Sequence, residues 1–286
     1  MRGWNIGMVE NLESRRLLSG ALLSTGGILR VWGDGASVNT ITVANSLDGL
    51  SVDVTVNSVN SLGVPKAFTR SFSKALGINQ VWIRGGFKAD TITVDQNNSD
   101  FTIATRVLGL GGDDRITTGV GNDVVFAGAG NDVVDTDAGM DWIRGMAGND
   151  VIDSGGGNDR VNAGVGNDQV DAGGGADAVC GGFGDDLIDA GSGDDLVYGG
   201  AGNDTLNGEN GNDALWGGVG DDILFGGDGN DTLGGYLGTN ALRGEADQDT
   251  FIVRQLSLNP TNDYDATIDI LMPVNSVNEG GHPPAM

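Results

Sequence analysis

One feature limits this chain more than any other: from Asp114 onward, aspartate recurs every ninth residue without a slip. The series runs Asp114, Asp123, Asp132, Asp141, Asp150, Asp159, Asp168, Asp177, Asp186, Asp195, Asp204, Asp213, Asp222, Asp231, then Asn240, then Asp249, which is 15 aspartates at 16 positions. Two residues after each comes a large apolar side chain, from Ile116 and Val125 through Leu242 to Phe251. Two residues before each comes glycine, from Gly112 to Gly238, and the rule fails only at Asp247. The unit is therefore G-G-x-G-x-D-x-U-x, with U apolar. A period this short and regular demands a stack of near-identical turns, because one unit cannot bury its apolar residue alone. Each unit divides into a six-residue loop and a three-residue strand, x-U-x, whose alternation points U inward and its neighbours outward.

The balance of charge says what the turns tolerate. Acids outnumber bases 40 to 15, for a formal net charge of −25, and 52 residues are glycine. All but Glu10, Glu13, Glu209, Glu245 and Glu279 of the acids are aspartate. Short carboxylates beside glycine suit tight turns and hard, oxygen-seeking cations. So acidic a chain argues against nucleic acid or an anionic membrane as partner. Cys180 is the only cysteine and His282 the only histidine, so a cysteine-rich zinc site and a histidine-dependent triad are both excluded. Neither G-x-S-x-G nor H-E-x-x-H occurs, and no apolar run approaches the length of a membrane-spanning helix. The reading is a non-enzyme.

With the nonapeptide in view, the sequence resembles the RTX, or hemolysin-type calcium-binding, repeat family; GGAGNDTLN (199–207) and GGDGNDTLG (226–234) match its consensus closely. The resemblance implies an all-β fold, a right-handed parallel β-roll stabilised by calcium, in which two nonapeptides form one coil. Residues 18 apart then stack at about the 4.8 Å spacing of neighbouring strands. The turns fall into two ladders, one with Asp114, Asp132, Asp150, Asp168, Asp186, Asp204 and Asp222, the other with Asp123, Asp141, Asp159, Asp177, Asp195, Asp213, Asp231 and Asp249. Carboxylates stacked so closely repel unless a cation sits between turns, and with only oxygen donors at hand calcium is selected over zinc or copper. Eight turns per ladder leave seven gaps, 14 in all. Asp141, Asp177 and Asp249 lie in weaker units (GMD, GAD and DQD), and GTN carries Asn240. Allowing for these, the expectation is roughly eight to twelve Ca²⁺ ions.

Four segments are expected: a leader at 1–24, a β-rich capping or degenerate-repeat region at 25–109, the calcium-binding array at 110–252, and a tail at 253–286. In the capping region, NTITV at 39 and DTITV at 90 read as the same strand-and-turn unit without a full glycine loop. Leu12, Glu13, Arg15, Leu17, Leu18 and Ser19 are similar to the LEPRxLLS-type leader of planctomycete surface and secreted proteins, with Ser14 in place of proline. The tail contains a strand-like ATIDILMPV. On the outer surface, Asp135, Asp153, Asp171 and Asp189 form an acidic row, read as a solvated face with an accessory cation row as the sharper alternative. Cys180, Tyr198 and Trp216 form a second column, which suits lateral packing against the N-terminal region or another copy. The function expected is calcium binding by a secreted or surface-displayed, non-catalytic protein that folds with its metal. The alternatives are an adhesin or matrix component with a glycan or cell-surface partner, and an accessory module of a secreted enzyme.

Overall fold

Strands x-U-x flanked by glycine loops cannot form hairpins with one another at nine-residue spacing; they pair with the strand one full coil away. In the computed structural model, which describes residues 20–24, 26–45, 51–94, 102–252 and 270–271, this is the pairing seen. Val124 lies against Trp142, Trp142 against Arg160, and Arg160 against Ala178, all parallel and all 18 apart. The alternate strands do the same: Val133 against Val151, Val151 against Gln169, Gln169 against Leu187. Two facing sheets result, of 12 and 13 strands among the described residues. The chain is a parallel β-roll.

The apolar columns meet between the sheets. Val107, Val125, Ile143, Val161, Val179, Val197, Leu215 and Leu233 come from the first sheet, and Ile116, Val134, Ile152, Val170, Ile188, Leu206, Leu224 and Leu242 from the second. All are buried, and Phe251 packs partly against the same core. Strand lengths depart from the three residues expected. First-sheet strands run to six residues, as in Trp142–Ala147 and Ala178–Phe183, while the second sheet keeps three, as in Val151–Asp153, until Thr205–Asn210. The longer strands skip one residue, so that Arg144 and Met146 are paired but Gly145 is not, and pairing continues into the glycine loop.

The region before the array belongs to the same two sheets. Ile28–Trp32, Gln80–Arg84 and Thr105–Gly111 are successive parallel strands of the first sheet. Val38–Asn45 and Thr91–Val94 do the same in the second. Ser51–Val59 and Pro65–Ser73 then turn antiparallel, closing that end as a meander. Gly20–Leu23 pairs antiparallel at the corresponding edge of the first sheet. The outermost strand carries Pro65, Lys66 and Arg70, residue types that discourage a further strand from adding. The leader-like residues 12–19 and, apart from the short strand Ile270–Leu271, the tail lie outside the described residues.

Candidate metal centre

The turns are built by backbone conformations that only glycine enters freely. Gly157 has φ +133°, and a Cβ there would fall 1.5 Å from the carbonyl oxygen of Gly139, one coil back. Where the consensus glycine is replaced at Asp247, the backbone keeps φ +70°, which aspartate tolerates better than most side chains. Turn therefore stacks on turn with no side chain between them.

The key aspartates are all buried except Asp249, which is partly so. Each uses one carboxylate oxygen in the same way. The Asp114 N–H donates to Oδ1 of Asp132, Asp132 to Asp150, Asp150 to Asp168, and so on to Asp222, which donates to Oδ1 of Asn240; the distances are 2.7–3.0 Å. The other ladder runs from Thr105 through Asp123, Asp141, Asp159, Asp177, Asp195, Asp213 and Asp231 to Asp249 at 2.6–3.0 Å. Asp141 and Asp177, from the weaker units, hold the same geometry as the rest. The sequence reading placed the carboxylates in the turns beside a cation; the structure adds that one oxygen of each is taken up as a turn-to-turn hydrogen-bond acceptor.

The other oxygen is the informative one. Oδ2 of Asp114, Asp123, Asp132, Asp141, Asp150, Asp159, Asp168, Asp177, Asp186, Asp195, Asp204, Asp213, Asp222, Asp231 and Asp249 is buried with no hydrogen-bond donor. At Gly181, Oδ2 of Asp186 and the carbonyl oxygen of Gly199 converge at 2.3 and 2.8 Å on the point a Cβ would fill. Gly208 shows the same with Asp213 and Gly226, and Gly226 with Asp231 and Gly244. Buried oxygens facing one another with no donor are costly, and a hard cation is what they fit. No group of three or more His, Cys, Asp or Glu side chains gathers at one point among the described residues. Carboxylates arrive singly, one from each turn, so most of the shell around any ion would be main-chain oxygen.

Titration follows from this burial. Desolvation pushes the carboxyls of Asp114, Asp123, Asp150, Asp177, Asp186 and Asp213 up to about 7, and those of Asp132, Asp141 and Asp222 up to about 6. For Asp150, Asp177, Asp186 and Asp213, the ladder carboxylates on both sides push the same way, while the hydrogen bond from the preceding turn pulls back. Cys180 is half-buried, and burial together with Asp186 and Asp204 raises its thiol pKa, which favours the protonated thiol over the nucleophilic thiolate.

Two parts of the machinery went unassigned in the sequence. The first is an exposed ladder at the position before each aspartate, running in the opposite sense: the Asn149 N–H donates back to Oδ1 of Asn131, Asn167 to Asn149, and Asp185 to Asn167. Its signal was the Asn/Asp preference at that position, and Met140 and Ala176 interrupt it, since each donates its N–H but offers no side-chain acceptor. The second is the continuation of the buried aspartate ladder into the cap. Asp90 donates to Asp114, and Oδ1 of Asp90 accepts both the backbone and the side-chain N–H of Asn39. The remaining Asp90 oxygen accepts from the Gly86 N–H, so this carboxylate is satisfied by protein alone.

One family model, the RTX calcium-binding nonapeptide repeat (4 copies), matches the chain at eight overlapping stretches between residues 108 and 251. No curated protein matches it.

Proposed function

This chain belongs to the RTX calcium-binding nonapeptide repeat family, and from that premise we propose that it is a non-catalytic, extracellular roll whose folding is driven by calcium filling the gaps between its turns. That its repeats bind calcium comes with the family. The assignment of ligands is ours: the 15 ladder aspartates, each offering Oδ2, with main-chain oxygens completing the shell. The single observation that carries it is the set of 15 buried Oδ2 atoms without a donor. Calcium supplies charge neutralisation and oxygen coordination; the chain supplies spacing, dryness and pre-oriented acceptors. With 14 gaps as the ceiling, roughly eight to twelve ions are expected per chain. Residues 110–252 form the working array and 25–109 its cap.

Calcium binding and folding are then one event, because the carboxylates meet only in the folded roll. At the low free calcium inside a cell the array stays unfolded, and at the millimolar level outside it folds. A calcium titration followed by circular dichroism and calorimetry tests this. A cooperative coil-to-β transition with several ions bound per chain is the expected result. A fully β spectrum at neutral pH in EGTA, unchanged by calcium, overturns it.

A further inference from the structure

The two outer faces of the roll carry opposite chemistry. On the first sheet, two adjacent columns run outward along the N-terminal half: Arg30, Trp82, Arg106, Val124, Trp142, Arg160 in one, and Trp32, Arg84, Leu108, Phe126, Arg144, Asn162 in the other. In a chain where acids outnumber bases 40 to 15, neither column holds an acidic residue over this span, and five of the 15 bases fall here. The arginines interleave with the rings: Arg30 lies 5.0 Å from the Trp82 centroid, Arg106 5.2 Å from Phe126, and Arg144 5.1 Å from Trp142. Trp82 and Trp142 remain 38 % and 43 % exposed. A flat, rigid surface of arginine stacked on aromatic rings is the composition of binding hot spots.

On the opposite side of the same roll, Asp135, Asp153, Asp171 and Asp189 stand in register on successive strands. Asp153 and Asp171 are exposed. Like charge builds along the row: burial and then Asp171 and Asp135 raise the carboxyl of Asp153, and burial, Glu209 and Asp171 push that of Asp189 up to about 6. At the spacing of parallel strands, the acidic row extends about 14 Å and the run from Arg84 to Arg160 about 19 Å. The acidic row thus fits within the length of the basic run. Within one copy the two faces look away from each other, so the match is available only between copies.

We propose that the arginine–aromatic face of the first sheet docks on the acidic row of the second sheet of another copy, so that folded rolls stack face to back. Such a contact is heterologous and leaves one face of each kind free at the ends, so it extends rather than closing as a dimer. Arg144 and Arg160 on one side, and Asp153 and Asp171 on the other, supply the pairing charges; the rings beneath the guanidinium groups supply the buried apolar area. These side chains point away from the turns, so the contact leaves the calcium-binding aspartates untouched.

Analytical ultracentrifugation of the full calcium-loaded chain at low and high sodium chloride tests the contact. The expected result is a sedimentation coefficient that climbs with protein concentration in low salt and returns to the monomer value in high salt. Arg144→Gln/Arg160→Gln and Asp153→Lys/Asp171→Lys chains should each stay monomeric alone. Mixed, they should form a 1:1 pair that grows no longer, because each retains one native face and the other two no longer match. Circular dichroism in calcium checks that both variants fold, and pair formation in the mixture proves it. A wild-type chain that stays monomeric in low salt at every concentration overturns the proposal, including when an acidic polysaccharide resin retains it through Arg144. Stacks that persist in both variants overturn it as well.

Discussion

Each ladder aspartate divides two tasks between its two oxygens. Oδ1 fixes the distance to the neighbouring turn by accepting an N–H, and Oδ2, buried without a donor, is the atom proposed to meet a cation. Asn240 separates the tasks, since it accepts from Asp222 through Oδ1 but offers no second carboxylate oxygen. Asp168→Asn should therefore preserve the β spectrum in saturating calcium while lowering the calcium count by about one or two ions, counted by calorimetry. An Ala at the same position should cost more, because the Asp150 N–H then loses its buried acceptor. The outer ladder gives the reverse test. Met140 donates to Asn122 but gives Asn158 no side-chain acceptor, so Met140→Asn should raise the stability of the calcium-loaded form by about 0.5–1 kcal/mol, read as a higher thermal midpoint. At this scale the sequence was highly legible, since the aspartate, the glycine and the apolar residue each recur at fixed offsets. The split between the two oxygens was not legible, because periodicity reports where a side chain lies and not which of its atoms a neighbouring turn engages.

Among the elements, the cap differs from the array in how its polar groups are satisfied. Asp90 spends both oxygens on N–H donors from Asn39 and Gly86, and Asn39 in turn accepts from Ser58 and from the Asp34 N–H. Beneath this network Ile41, Val43, Val52, Val54, Val56, Ile92 and Val94 are buried without help from a metal. The cap should accordingly hold β-structure when calcium is removed, and serve as the edge on which the first array strands form. Hydrogen exchange in EGTA at neutral pH checks this: amides of 38–45, 51–59 and 80–94 should stay protected while those of 124–245 exchange freely. Uniform exchange along the chain would show that the cap, too, depends on the ions. The likeness of NTITV and DTITV revealed that Asn39 and Asp90 occupy equivalent turns. Nothing revealed the meander Ser51–Val59 and Pro65–Ser73, which carries no repeat and separates Asn39 from its partner by 51 residues.

For the molecule as a whole, the raised carboxyls set a pH dependence. Without metal, many ladder groups ionise near 6–7 in the roll, against 3.8 for the unconstrained side chain. Between these values the folded form holds more protons than the unfolded one, so stability is fully present below about pH 4 and falls as pH rises towards 7. Calcium competes with the same protons, so its affinity should rise across that window. The expected outcome is a β spectrum in calcium-free buffer near pH 4 whose array contribution is lost at neutral pH, leaving that of the cap, and recovered on adding calcium, with acidification of a weakly buffered solution as protons leave. A calcium-free chain with the same spectrum at both pH values would remove the basis for this coupling. Fold class was legible at this scale because one repeat unit dictates the whole stack; the unlike outer faces were not, because the positions flanking U vary freely. The strict 18-residue register has a consequence for how such a chain can change length in descent. Duplicating one whole coil leaves every later side chain on its original side, and so is silent for the surface. Duplicating a single nonapeptide keeps every turn intact yet transposes the two sides downstream, bringing carboxylates where guanidinium groups stood. Gains and losses within the array should therefore accumulate in pairs of repeats.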